Sequence, residues 1–176
     1  MRRCFAINRS KKQRVIAGAV LSLVVFPLLV SCLRADYTAT DLLTELISAI
    51  DEPPEMNICF KNGDGLNAVA QDELADLFDG VDPSTSASDY AFFRSKRDRL
   101  YEIYVFCAPS ADRSEILRDI LKRRIALIQT RDIRLYDEDW YEHAIAPAKT
   151  LVRGRYVILL VTPCNEKIEK KLNSIL

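Results

Sequence analysis

Leu100-Tyr101-Glu102-Ile103-Tyr104-Val105-Phe106-Cys107-Ala108 is the stretch on which the fold turns. Aromatic and β-branched residues dominate it, which favours a strand. Its two alternating sets are Glu102, Tyr104 and Phe106 against Ile103, Val105 and Cys107, and both are apolar apart from one acid. That pattern predicts a central strand covered increasingly on both faces. Upstream, Tyr90 to Ser95 has the same character, and Lys96-Arg97-Asp98-Arg99 between the two runs predicts an antiparallel hairpin. Downstream, Ser110 or Asp112 opens a long helix, with Asp112 and Glu115 at capping-box spacing. Its apolar residues Leu117, Ile120, Leu121, Leu127 and Ile128 recur at three and four, and the stripe also takes in the stem of Arg124.

A second hairpin follows. Thr150 to Val152 and Tyr156 to Val161 flank Arg153-Gly154-Arg155, a tight turn with glycine where positive φ is needed. Between the long helix and this hairpin, residues 137–146 read as a short helix. Pro163 and Asn165 start the last helix, with Ile168, Leu172 and Ile175 on one face. In the N-terminal half, Thr38 and Asp41 mark a helix start, Leu43, Leu46, Ile47 and Ile50 form its face, and Pro53-Pro54 stop it. Met56 to Phe60 reads as a short edge strand closed by the turn-rich residues 61–65, and a helix over 68–78 carries Leu74 and Leu77 inward and stops at Gly80. The order predicts an α+β domain: an antiparallel sheet of two hairpins with helices packed on one face.

The chain has 176 residues, 49% of them hydrophobic and 28% charged, the balance of a globular domain. Formal net charge is zero, but the first 31 residues hold six bases and no acid, which leaves 19 bases against 25 acids, a net charge of −6, in the rest. Such a surplus of acid excludes wrapping nucleic acid through bulk charge.

The same first segment has a basic stretch to Arg14 and then sixteen uncharged residues from Val15 to Val30. As a helix these reach about 24 Å, short of the roughly 30 Å hydrocarbon core, and Pro27 interrupts them, so a cleaved signal peptide is expected over a permanent span. Leu29-Val30-Ser31-Cys32 resembles the lipobox of bacterial lipoproteins. The resemblance implies a diacylglyceryl thioether on Cys32, cleavage before it, and a mature domain of residues 32–176 held at the extracytoplasmic face of the cell membrane. Two acyl chains anchor stably where one does not. Of the five cysteines, Cys59, Cys107 and Cys164 then remain. They allow one disulfide and one thiol, or three buried thiols, and a domain of this size needs no covalent staple.

Further fold markers are Leu77-Phe78-Asp79-Gly80, Tyr101 to Phe106, Leu121-Lys122-Arg123-Arg124 and Arg153 to Leu160. With them the chain resembles, over about residues 40–176, a family of small lipoproteins of clostridial-type Gram-positive bacteria known only as a domain of unknown function. The family implies a membrane-anchored surface protein and brings no catalytic residue.

Two clusters invite a chemical reading. Asp139 and His143 stand at helical spacing i, i+4 beside Glu142, which would suit metal ligation or acid–base work in an envelope-acting hydrolase. An acidic first turn is also what the helix dipole favours, and a solvated helix start with a partly buried His143 is the favoured reading. No GxSxG, GxxxxGK[ST] or GxGxxG occurs, and no cofactor is expected. Arg94, Lys96, Arg97 and Arg99 at one hairpin and Lys149, Arg153 and Arg155 at the other would form a cationic patch toward an acidic polymer or lipid headgroups if the hairpin tips lay side by side. Edge protection by exposed charge is the alternative, and it is favoured. The expected function is a lipid-anchored, non-enzymatic binding or assembly module for an envelope protein or polymer.

Overall fold

The structure, a computed structural model, describes residues 36–61, 71–95, 101–132 and 138–176. In chain order these form α1 (Ala39–Ile47), β1 (Met56–Phe60), α2 (Gln71–Leu77), a 3-10 turn (Pro83–Ser86), β2 (Asp89–Ser95), β3 (Glu102–Cys107) and α3 (Ala111–Leu127). There follow a π-turn (Ile128–Asp132), a short helical turn (Glu138–Trp140) that continues as a π-turn (Tyr141–Ile145), β4 (Lys149–Arg153), β5 (Tyr156–Val161) and α4 (Asn165–Ile175). The signal segment, Cys32, most of the turn expected over 61–65, and Lys96, Arg97 and Arg99 lie outside the described residues.

Both hairpins form in the expected places. β2 pairs antiparallel with β3, with Arg94 opposite Glu102, and β4 pairs with β5 around a two-residue loop. Gly154 in that loop has φ +58, the positive value that a turn matched to strand twist requires at its first position. The sheet is antiparallel throughout, in the order β1-β2-β3-β5-β4. β5 therefore sits between β3 and β4, and β1 is the edge strand that Met56 to Phe60 suggested.

Because β3 and β5 have two neighbours each, their backbone polar groups are paired along both sides, and all six side chains of each strand are buried. Alternate residues then feed two separate cores. On one face, Tyr90, Phe92, Tyr104 and Phe106 pack with Leu117 and Leu121 of α3 and Leu74 and Phe78 at the end of α2. Phe78 meets Tyr104 edge-on at 5.4 Å between ring centroids, and Phe92 stacks on Tyr104 at 5.0 Å. Each such aromatic pair contributes about 0.5–1.5 kcal/mol beyond burial. On the other face, Phe93, Ile103, Val105, Ile158 and Leu160 pack with Leu42, Leu43 and Leu46 of α1 and Ile168 and Leu172 of α4. The helices thus cover both faces, not the single face expected, since a strand that is apolar on both alternating sets must be shielded twice.

Local chemistry sets the helix ends. Thr38 Oγ1 accepts from Asp41 N at 3.1 Å and caps α1. Ser110, not Asp112, caps α3: its Oγ accepts from Arg113 N at 3.3 Å. After α2, Asp79 and Gly80 take positive φ of 59 and 81, and Gly80 N donates to Ala75 O at 2.9 Å, the reverse turn with which many helices end. Cys107 is a buried thiol and Cys164 a half-buried one, so neither is held in a disulfide.

Candidate functional site at the far end of the sheet

The register gives the domain two distinct ends. At one, Cys107 faces Tyr156 across β3 and β5, and the chain enters: Tyr156 Oη donates to the carbonyl of Tyr37 at 2.8 Å, and Ala39 N donates to Asp89 Oδ2 at 2.8 Å. At the other, Glu102 faces Val161. α3 runs from the entry end, just after β3, to the far end, where its Arg124 meets Glu102.

That meeting is a buried ion pair. Glu102 is fully buried and Arg124 is 2% exposed. Arg124 Nη2 donates to Glu102 Oε1 at 2.6 Å and Nε donates to Oε2 at 3.1 Å, a bidentate fork that matches guanidinium to carboxylate. Arg94 on β2, directly across the ladder, brings its Nε within 3.5 Å of Oε1 from a half-solvated position. One buried carboxylate therefore ties together β2, β3 and the last turn of α3.

Beside it, on the outer side of α3, lies a groove of about 250 Å³ lined by Phe78, Asp79, Val81, Arg123, Ala126, Leu127 and Thr130. The left-handed turn at Asp79 and Gly80 brings Val81 alongside the last turns of α3. Val81 is exposed, although apolar. The volume falls below the ~300–1,000 Å³ of small-molecule pockets, and suits one or two side chains of a partner better than a cofactor. One acid and one base, Asp79 and Arg123, stand among otherwise mainly apolar walls.

The residues singled out from sequence fare differently. Asp139 and His143 do come together: His143 Nδ1 donates to the Asp139 carbonyl at 2.8 Å and lies 3.4 Å from its Oδ1. The hydrogen bond to that carbonyl, then the carboxylates of Asp139 and Glu142, hold the imidazole pKa above its ordinary value of 6.5. The pair is open to water, with side chains 86% and 62% exposed, and Glu142 points no third ligand at it. Among the described residues no group of three His, Cys, Asp or Glu side chains is placed to hold a metal.

The cationic patch does not assemble from its described members. The β2–β3 tip is at the far end and the β4–β5 tip at the entry end, because β5 runs antiparallel to β3. A six-residue strand separates them by about 17 Å. Arg94 is turned to Glu102 on the α3 face, whereas Arg153 donates to Asn173 Oδ1 at 3.0 Å and pairs with Glu169 at 3.4 Å on the α4 face. Lys149 Nζ reaches the same Glu169 at 2.5 Å, and the Arg155 guanidinium lies 5.9 Å from the centre of the Tyr156 ring. Charge on this sheet is spent on joining strands to helices.

The sequence held signals for what was missed. Glu102 is the one acid in an apolar run and Arg124 the one base in a buried stripe, so each calls for an opposite charge. No local pattern announces the groove, whose walls are brought together from positions some 45 residues apart. No family model, curated protein or solved structure matches the chain.

Proposed function

We propose that the mature chain is a lipid-anchored, extracytoplasmic binding or assembly module. It performs no chemistry of its own and holds a segment of an envelope protein. The observation that carries the binding role is the groove between Phe78–Val81 and the end of α3. It offers apolar walls to an anchoring side chain and one charge of each sign to orient the flanking residues. The lipobox-like Leu29-Val30-Ser31-Cys32 supports the anchor.

Photo-crosslinking in cells from a reactive side chain at Val81 tests the binding role. A discrete partner adduct that disappears with Ala126→Trp, which fills the groove, and persists with Lys61→Ala at the other end is the expected result. An adduct pattern indifferent to Ala126→Trp would refute it. For the anchor, Cys32→Ala is expected to yield unprocessed chain without acyl groups by intact-mass spectrometry, and normal lipidation of that variant would exclude Cys32.

A further inference from the structure

The folded unit Tyr37–Leu176 begins at the entry end of the sheet. Tyr37 is pinned there by Tyr156, and Ala39 by Asp89. Cys32 stands five positions before Tyr37, and however residues 33–36 are arranged, five residue steps span at most about 18 Å. α3 begins at the same end, where Ala108 N donates to the Arg155 carbonyl at 2.8 Å, and its 17 residues carry the chain about 25 Å to the far end. The tether is shorter than the helix. A domain held by acyl chains at Cys32 therefore cannot stand upright on its far end with the entry end uppermost.

We infer that the entry end, made of the Gly154-Arg155 turn, the first turn of α3 and the end of β1 at Lys61, rests against the lipid headgroups and that the groove is held outward. This rests on the reading of Cys32 as the lipid-bearing residue, and it places the groove's occupant on the side away from the leaflet: a protein segment, not a lipid. The docking surface is set by the tether and not by charge. Exposed Lys61, Arg113 and Arg155 share this rim with Asp41 and Asp112, so it carries little net charge, and Lys61 and Arg113 donate to the neutral oxygens of Ser88 and Ser86. The orientation is accordingly indifferent to the anionic lipid content of the membrane.

The chain carries its own reporter. Its single tryptophan, Trp140, lies at the far end, 5.4 Å from the ring of Tyr101. The lipid-bearing full chain is reconstituted into phosphatidylcholine vesicles that contain a lipid spin-labelled at its headgroup, a short-range quencher. Trp140 emission is expected to be unchanged, and emission from W140F/A111W, with its indole on the exposed first turn of α3, to be strongly lost. Adding phosphatidylglycerol should alter neither result. If W140F prevents folding, A111W in the native background reads the same contrast as an extra, quenchable component. Quenching of Trp140 equal to or greater than that at position 111 overturns the orientation while the anchor stands. Intact mass without a diacylglyceryl group on Cys32 overturns both.

Discussion

Arg124→Met is the perturbation that asks most of this structure. It keeps the apolar stem that packs in the α3 stripe and removes both hydrogen bonds that Arg124 makes to Glu102, at 2.6 and 3.1 Å. Glu102 has no route to solvent, being fully buried on a strand with neighbours on both sides. Removing one member of a buried pair costs about 3–5 kcal/mol, because the remaining charge loses its compensation. Arg94 offsets part of this, but its Nε lies at 3.5 Å and its side chain is 36% exposed, so water screens it. A loss of about 3 kcal/mol is expected. Urea denaturation of the chain from residue 32, followed by Trp140 emission, would read this as a midpoint lower by about 1.5 M, for a slope of about 2 kcal/mol per molar. Arg94→Met should cost less than about 1 kcal/mol. The double variant Glu102→Leu/Arg124→Met should recover most of the loss, since apolar replacement of a buried pair is often neutral or stabilising. If Arg124→Met moved the midpoint no further than Arg94→Met, Glu102 would not depend on the bidentate contact and the account of the far end would be wrong.

Other expectations follow from the same geometry. Leu43→Ala and Leu121→Ala lie in separate cores on opposite faces. Each should destabilise by about 2–5 kcal/mol and the two should add, whereas a sheet covered on one face would leave one of them nearly silent in denaturation. Ser110→Ala should cost about 1 kcal/mol, and Asp112→Ala distinctly less, because the cap hydrogen bond to Arg113 N comes from Ser110; equal costs would contradict that assignment. In an NMR titration His143 should protonate above pH 6.5, and Asp139→Asn should bring its midpoint part of the way back, since the carbonyl contact survives. With the folded pKa raised, whatever stability this pair adds is fully present below pH 6.5 and is lost as pH rises through the folded value. A midpoint at or below 6.5 would rule out the Asp139 contact in solution.

Much of this was legible one element at a time. Tyr90 to Ser95 and Tyr101 to Cys107 pair across their short connection as their composition suggested, and Gly154 turns the second hairpin with the positive φ expected of it. Thr38, Ser110 and Gly80 work where helix-end chemistry places such residues. The Asp139–His143 contact was legible too, because i, i+4 spacing on a helical turn puts two side chains together whatever surrounds them. Its exposure was not, since burial depends on what packs above that turn. The described members of the cationic patch lie apart for a related reason. Which end of the sheet a hairpin tip occupies depends on the neighbour its strand finds, and Val161 finds Glu102.

The sequence by itself determined the strands, the turns and most of the helix ends, because these arise from φ preferences, side-chain period and hydrogen bonds within a few residues. Only the tertiary structure decided that β5 lies between β3 and β4, that α1 and α4 cover one face while α2 and α3 cover the other, and that Arg124 is the counter-ion of Glu102. Those choices rest on contacts between residues tens of positions apart, where shape and the need to pair every buried charge select one arrangement from several that the local pattern would accept.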